Sequence, residues 1–168
     1  MKIRKIKRKR ENIVYYGRDT KYDFLKNWGM IRKWAIYQYG LKSSADIDML
    51  LFLYSEKLFT RTKFQEYASF MSWDRNRFDR LLRDGFISIW RKKKAGEYNL
   101  YELSFQSKKM IASMYRKLIG LEPFPETPRR NKVMKPNASY SERMLAQAIK
   151  RFNSDFKEHK QYPSLEQQ

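Results

Sequence analysis

The stretch from Phe70 to Ser104 concentrates side chains that can grip a polyanion. Arg75, Asn76, Arg77, Arg80 and Arg83 lie in its first part, and Arg91, Lys92, Lys93 and Lys94 in its second. A guanidinium is a planar fork of donors that matches phosphate or the O6/N7 edge of guanine, and an asparagine amide matches the N6/N7 edge of adenine. An ammonium holds phosphate as a point charge and reads no sequence. Arginines and an amide on one segment, with lysines on the next, suit a division between reading bases and holding backbone.

Other chemistries find little support. The chain has no cysteine and one histidine, His159, which excludes thiolate chemistry and makes imidazole catalysis or a multi-histidine metal site a poor fit. Glu56 with Glu66, or Asp46 with Asp48, can be imagined as metal ligands, but neither pair has a metal-site or catalytic spacing. Neither an enzyme nor a cofactor is expected.

The positioning elements follow from periodicity. Residues 20–39 read as a helix with a capping-box-like start at Thr20 and Asp23, an apolar stripe through Phe24, Trp28, Ile31, Ala35 and Tyr39, and a stop at Gly40. Residues 45–55 form a short, very apolar helix, and residues 62–70 another with Phe64, Tyr67 and Ala68 inward. Ser72 is a good N-cap for a third helix running to Gly85. At about 100° per residue, Met71, Phe78, Leu81 and Leu82 share one side of it, while Trp73, Asn76, Arg80 and Arg83 share the other. Residues 86–91 and 98–104 alternate as strands around the basic turn Arg91–Gly96. Residues 105–119 are an amphipathic helix.

Residues 121–137 hold four of the five prolines and read as a linker or ordered loop. A final helix follows over 138–160, capped by Ser139 and Glu142, with a stripe of Leu145, Ala148, Ile149, Phe152 and Phe156. That stripe needs a partner, either the first helix or a second subunit. Residues 161–168 read as a loose tail.

The balance of 37 Lys+Arg against 18 Asp+Glu gives a net charge of +19, a field that attracts nucleic acid or an anionic membrane surface. Seven of the first ten residues are basic: Lys2, Arg4, Lys5, Lys7, Arg8, Lys9 and Arg10. Residues 1–19 read as an arm, either solvated or lying on phosphates. No apolar run approaches the roughly 18–20 residues of a membrane span, and no apolar segment of the secretory type follows the basic start. The expected location is intracellular, cytoplasmic or nucleoid-associated, with a virion as the alternative.

Three helices followed by a two-stranded hairpin make a winged helix-turn-helix. The expected fold class is therefore mainly α with a small β-hairpin wing (α+β), spanning residues 20–120. The third helix would enter the major groove and the wing would touch backbone or minor groove. Over residues 20–119 the pattern resembles the multiple-antibiotic-resistance-regulator (MarR) family of transcription factors. The segment Arg80–Ile87, RLLRDGFI, looks like that family's passage from recognition helix to wing. The resemblance implies a homodimer built from residues 20–39, 105–119 and 139–160, with Trp28, Ile31, Leu145, Ile149, Phe152 and Phe156 at the interface. It also implies a small-aromatic ligand pocket, although core packing explains the aromatics as well. The chain departs from the family in its short third helix, in a wing without the Asp-x-Arg element, and in the proline-rich break.

The expected function is a duplex-DNA-binding transcriptional regulator. The alternative is a structural or assembly protein of a nucleoprotein particle, virion or ribosome-associated, that binds without sequence preference. Single-strand binding through exposed aromatics is a third reading.

Overall fold

The computed structural model describes residues 24–161 apart from Ser72, Trp73 and Arg75. The basic arm, the Thr20–Asp23 cap, the side chain of His159 and the tail beyond residue 161 lie outside the described residues. The chain is mainly helical with one small antiparallel sheet, an α+β architecture. In order the elements are α1 (Phe24–Tyr39), α2 (Ser44–Glu56), β1 (Leu58–Phe59), α3 (Arg61–Met71), α4 (Arg77–Arg83), β2 (Ile87–Arg91), β3 (Leu100–Leu103), α5 (Phe105–Leu118) and α6 (Tyr140–Gln161), with a 3-10 turn at Lys132–Met134.

The hairpin gains a strand that the sequence reading lacked. Leu58 and Phe59 pair with Glu102 and Tyr101, so the sheet order is β1-β3-β2, all antiparallel. Two residues between helices carry too little alternation to register as a strand; β1 exists because β3 offers an edge. Phe59 then joins Phe64, Phe78 and Tyr101 in an aromatic cluster. Phe78 lies 5.0 Å from both Phe64 and Tyr101, edge-on to the latter. Such pairs stabilise beyond their buried area. The cluster fixes α3 and α4 against the base of the hairpin.

α4 is shorter than the expected helix. Its first turn begins only at Arg77, because the Asp74 carboxylate accepts the Asn76 N–H at 3.0 Å and the Asp74 carbonyl accepts the Arg77 N–H. Short polar side chains that bond nearby backbone offer an alternative to helix. At the other end Gly85 takes φ +79°, a left-handed conformation that turns the chain into β2.

The main core lies between α1, α2, α5 and the sheet, with Ile31, Ile47, Leu50, Leu53, Met110 and Ile111 fully enclosed. α6 folds back on α1, and its stripe of Leu145, Ile149, Phe152 and Phe156 is buried within the chain. The proline-rich segment is an ordered connection. Phe124 and Val133 are buried, and Asn153 of α6 both donates to the Phe124 carbonyl and accepts its N–H, each at 2.9 Å.

The expected capping box of α6 is present. Glu142 accepts the Ser139 N–H at 2.7 Å, and Lys135 lies 2.9 Å from its other oxygen. The bond from Lys135, and then those from Ser139, lower the Glu142 pKa to about 2. A lowered carboxylate pKa stabilises the fold above the ordinary value of about 4.3, and that stability is lost as pH falls through the folded value. The urea midpoint should therefore fall between about pH 4 and pH 2, and Glu142→Gln should flatten that dependence. An equally steep fall in the variant would exclude this cap as its source.

Candidate nucleic-acid interface

The base of the hairpin is firmly held. The Ser107 hydroxyl donates to the Phe86 carbonyl at 2.7 Å, and the Ser104 N–H donates to the same oxygen at 3.0 Å. Ile87, Tyr101 and Leu103 are buried there. Toward the tip, the Lys93 N–H donates to the Asn99 side-chain oxygen at 2.8 Å, the Glu97 N–H donates to the Lys94 carbonyl, and Gly96 turns the chain at φ +80°. The tip is thus a bonded turn, and Arg91, Lys92, Lys93 and Lys94 are exposed on it. Arg91 faces Glu97 at 3.4 Å. Among the described residues no carboxylate pairs with Lys92, Lys93 or Lys94, so these cations remain available to a polyanion.

Sequence reasoning put Arg77 and Arg80 on the recognition helix, Arg80 as a base reader; the structure ties both to Asp46 of α2. One Nη of Arg77 bonds Asp46 Oδ1 and, at 2.7 Å, the Ser43 hydroxyl. Arg80 Nη2 meets the same carboxylate oxygen at 2.5 Å. Asp46 Oδ2 accepts the N–H groups of Lys42 and Ser43, each at 3.1 Å. Only 1 % of the Asp46 side chain is exposed. A carboxylate so enclosed requires cationic partners, and the turn of α4 that faces α2 supplies them. Their side chains are only 14 % and 21 % exposed, so both arginines are turned toward Asp46 rather than into solvent. Arg83 remains outward with 74 % of its side chain exposed, 3.9 Å from Asp84, and Asn76 is exposed at the head of the helix. Arg75 and Trp73 lie outside the described residues. The acid of α4, Asp79, pairs with Arg61 of α3 at 2.5 Å.

Asp46 is the residue that sequence reasoning missed. Its signal was present: Asp46, Met49, Leu50 and Leu53 occupy one face of α2, so the acid lies on the core side. Nor is either imagined acidic pair free. Asp48 contacts Arg32 at 3.4 Å, the Tyr67 hydroxyl donates to Glu56, and Glu66 pairs with Lys63 at 3.0 Å. No group of three or more His, Cys, Asp or Glu side chains suited to a metal ion occurs among the described residues.

The expected interface residues are also placed elsewhere. Ile31 is enclosed in the main core, and Leu145, Ile149, Phe152 and Phe156 are buried within the chain, so none of the five presents an exposed face for the expected subunit contact. The physical reason is the ordered connection, which returns α6 to α1. Trp28 is half-buried and, with Leu51, Met114, Tyr115 and Leu118, lines an apolar recess of about 240 Å³ between α1, α2 and α5.

No protein-family model, curated protein or solved structure matches the chain. No helix among the described residues is long and apolar enough to cross a membrane.

Proposed function

We propose that the chain is a winged-helix protein that binds duplex DNA and grips it chiefly with the hairpin. The element order α2, β1, α3, α4, β2, β3, with β1 against β3, supports the winged-helix reading. The observation that carries the function is the division among the cations. Among the described residues no carboxylate pairs with Lys92, Lys93 or Lys94, which stand on a bonded tip, while Arg77 and Arg80 are held by Asp46. Of the described residues, only Asn76, which caps α4, and Arg83 on it are left to face base edges. Phosphate contacts then dominate, and phosphate contacts position without specifying.

This favours sequence-tolerant binding. It leaves two roles in play, a regulator whose base reading rests on Asn76 and Arg83, and the assembly protein of a nucleoprotein particle. An inverted repeat enriched from a randomised duplex pool supports the regulator; retention without enrichment supports the assembly role.

The grip itself is tested by salt. Each phosphate neutralised contributes about −0.9 to the slope of log K against log salt. The triple variant K92A/K93A/K94A should lower the magnitude of that slope by about three and weaken binding at every salt concentration. Fluorescence anisotropy on a labelled duplex reads both. An unchanged slope and affinity would remove the hairpin from the interface.

A further inference from the structure

The hairpin carries two side chains that a phosphate grip does not use. Trp90 is 52 % exposed and Tyr98 is 72 % exposed, and they bracket the lysine run in sequence. The sheet itself sets Trp90 apart. Ile89 pairs with Tyr101 and Arg91 pairs with Leu100, so Trp90 has no opposite residue on β3 and forms a bulge. A bulge re-aims the side chain it carries, and bulges gather at functional edges. Arg91 places its guanidinium 5.9 Å from the Trp90 ring centre, the range of a cation–π contact.

We infer that this hairpin takes unpaired nucleobases, with Trp90 and Tyr98 stacking on bases bared where a duplex gives way to single strand while Lys92, Lys93 and Lys94 hold the neighbouring phosphates. The inference rests on the nucleic-acid reading above and adds the form of nucleic acid preferred. Paired bases inside a duplex present no free face to an aromatic ring; unpaired ones do, and every base has such a face. The bonded tip and the buried hairpin base supply the rigidity that stacking needs. The cations decide the class of partner. Trp90 and Tyr98 stand on a tip that also exposes three lysines and an arginine, which suits stacking beside phosphates.

The test uses the full chain and one labelled DNA sequence in three forms: a blunt duplex, the same duplex with a single-stranded thymidine tail, and the unpaired strand. The tailed duplex should bind more tightly than the blunt one, by about five- to hundredfold for a stacked base. W90A and Y98A should each reduce that advantage and leave blunt-duplex affinity unchanged, and W90F should retain most of it. Equal affinity for tailed and blunt duplexes, or a W90A variant that weakens both alike, overturns the inference. If blunt binding is lysine-dependent but the tail adds nothing, stacking falls and the duplex grip stands. If K92A/K93A/K94A leaves all three forms unaffected, both fall. A Trp90-dependent emission shift on phosphatidylserine-containing vesicles, without any advantage for tailed DNA, would assign the aromatics to a membrane surface and also overturn it.

Discussion

Replacing Asp46 by alanine should lower the free energy of unfolding by about 3–5 kcal/mol. The carboxylate is enclosed, and it is the shared acceptor for Arg77, Arg80 and the N–H groups of Lys42 and Ser43. Alanine would leave two partly buried guanidinium groups facing each other without their counter-charge. It would also strip the acceptor from the first turn of α2, where a cap alone is worth about 1 kcal/mol. Asparagine is a poor substitute at this position, because an amide nitrogen cannot accept the N–H groups that Oδ2 accepts. Asp46→Asn should therefore also destabilise, though less than alanine. Replacing the whole triad by apolar residues of similar size should cost far less than D46A, since the charges then leave together. Urea unfolding with unchanged slope measures all three. A D46A midpoint equal to that of the parent would show that the cluster contributes nothing to holding α4 on α2.

The same cluster marks where local pattern stops being informative. Helical spacing showed the apolar faces correctly. Phe78 and Leu81 are buried, and the stripe of α6 packs as its period requires. Both depend on residues three and four apart in one element, which a sequence displays directly. The same spacing placed Arg80 opposite Phe78 and left it outward, because rotation about one helix says nothing of what approaches that helix from elsewhere. Asp46 lies 31 residues before Arg77 and 34 before Arg80. The buried acid was legible as a demand for cations; which cations answer it depends on how α2 and α4 cross. β1 is hidden for a related reason, since its pairing is set by β3 more than forty positions later. For the candidate site, the lysines at 92–94 were legible because a turn between two alternating runs is a local event. The bulge at Trp90 was not, because it is a mismatch between two strands and belongs to neither sequence alone.

Removing the carboxylate of Glu122 should cost more than removing the ammonium it holds. Lys117, on the last turn of α5, is 1 % exposed, bonds Glu122 and the Ser113 hydroxyl, and sits 4.7 Å from the Trp34 ring centre and 5.3 Å from that of Phe124. Burial lowers its pKa, partly offset by Glu122. For Glu122, burial opposes ionisation, but bonds from Lys117, Arg116 and Ser113 outweigh it and lower the pKa. Glu122→Ala leaves an enclosed ammonium with only a hydroxyl and two ring faces, and should cost about 3 kcal/mol. Lys117→Met leaves a carboxylate that is one-third exposed and still bonded to Arg116 at 2.7 Å, so it should cost clearly less. The acid limb has a fixed sign. The contribution of Glu122 is complete above the ordinary carboxylate range and is lost as pH falls through its lowered folded value, so the gap between parent and E122A should narrow in acid. The damage should also be regional. Trp34 belongs to α1, and Phe124 is bonded to Asn153 of α6, so the cluster joins the end of α5 to the α1–α6 layer. Hydrogen exchange in E122A should rise in α6 and in the connection before it rises in the hairpin. Equal costs for E122A and K117M, or faster exchange confined to the hairpin, would show that this ion pair does not anchor α6.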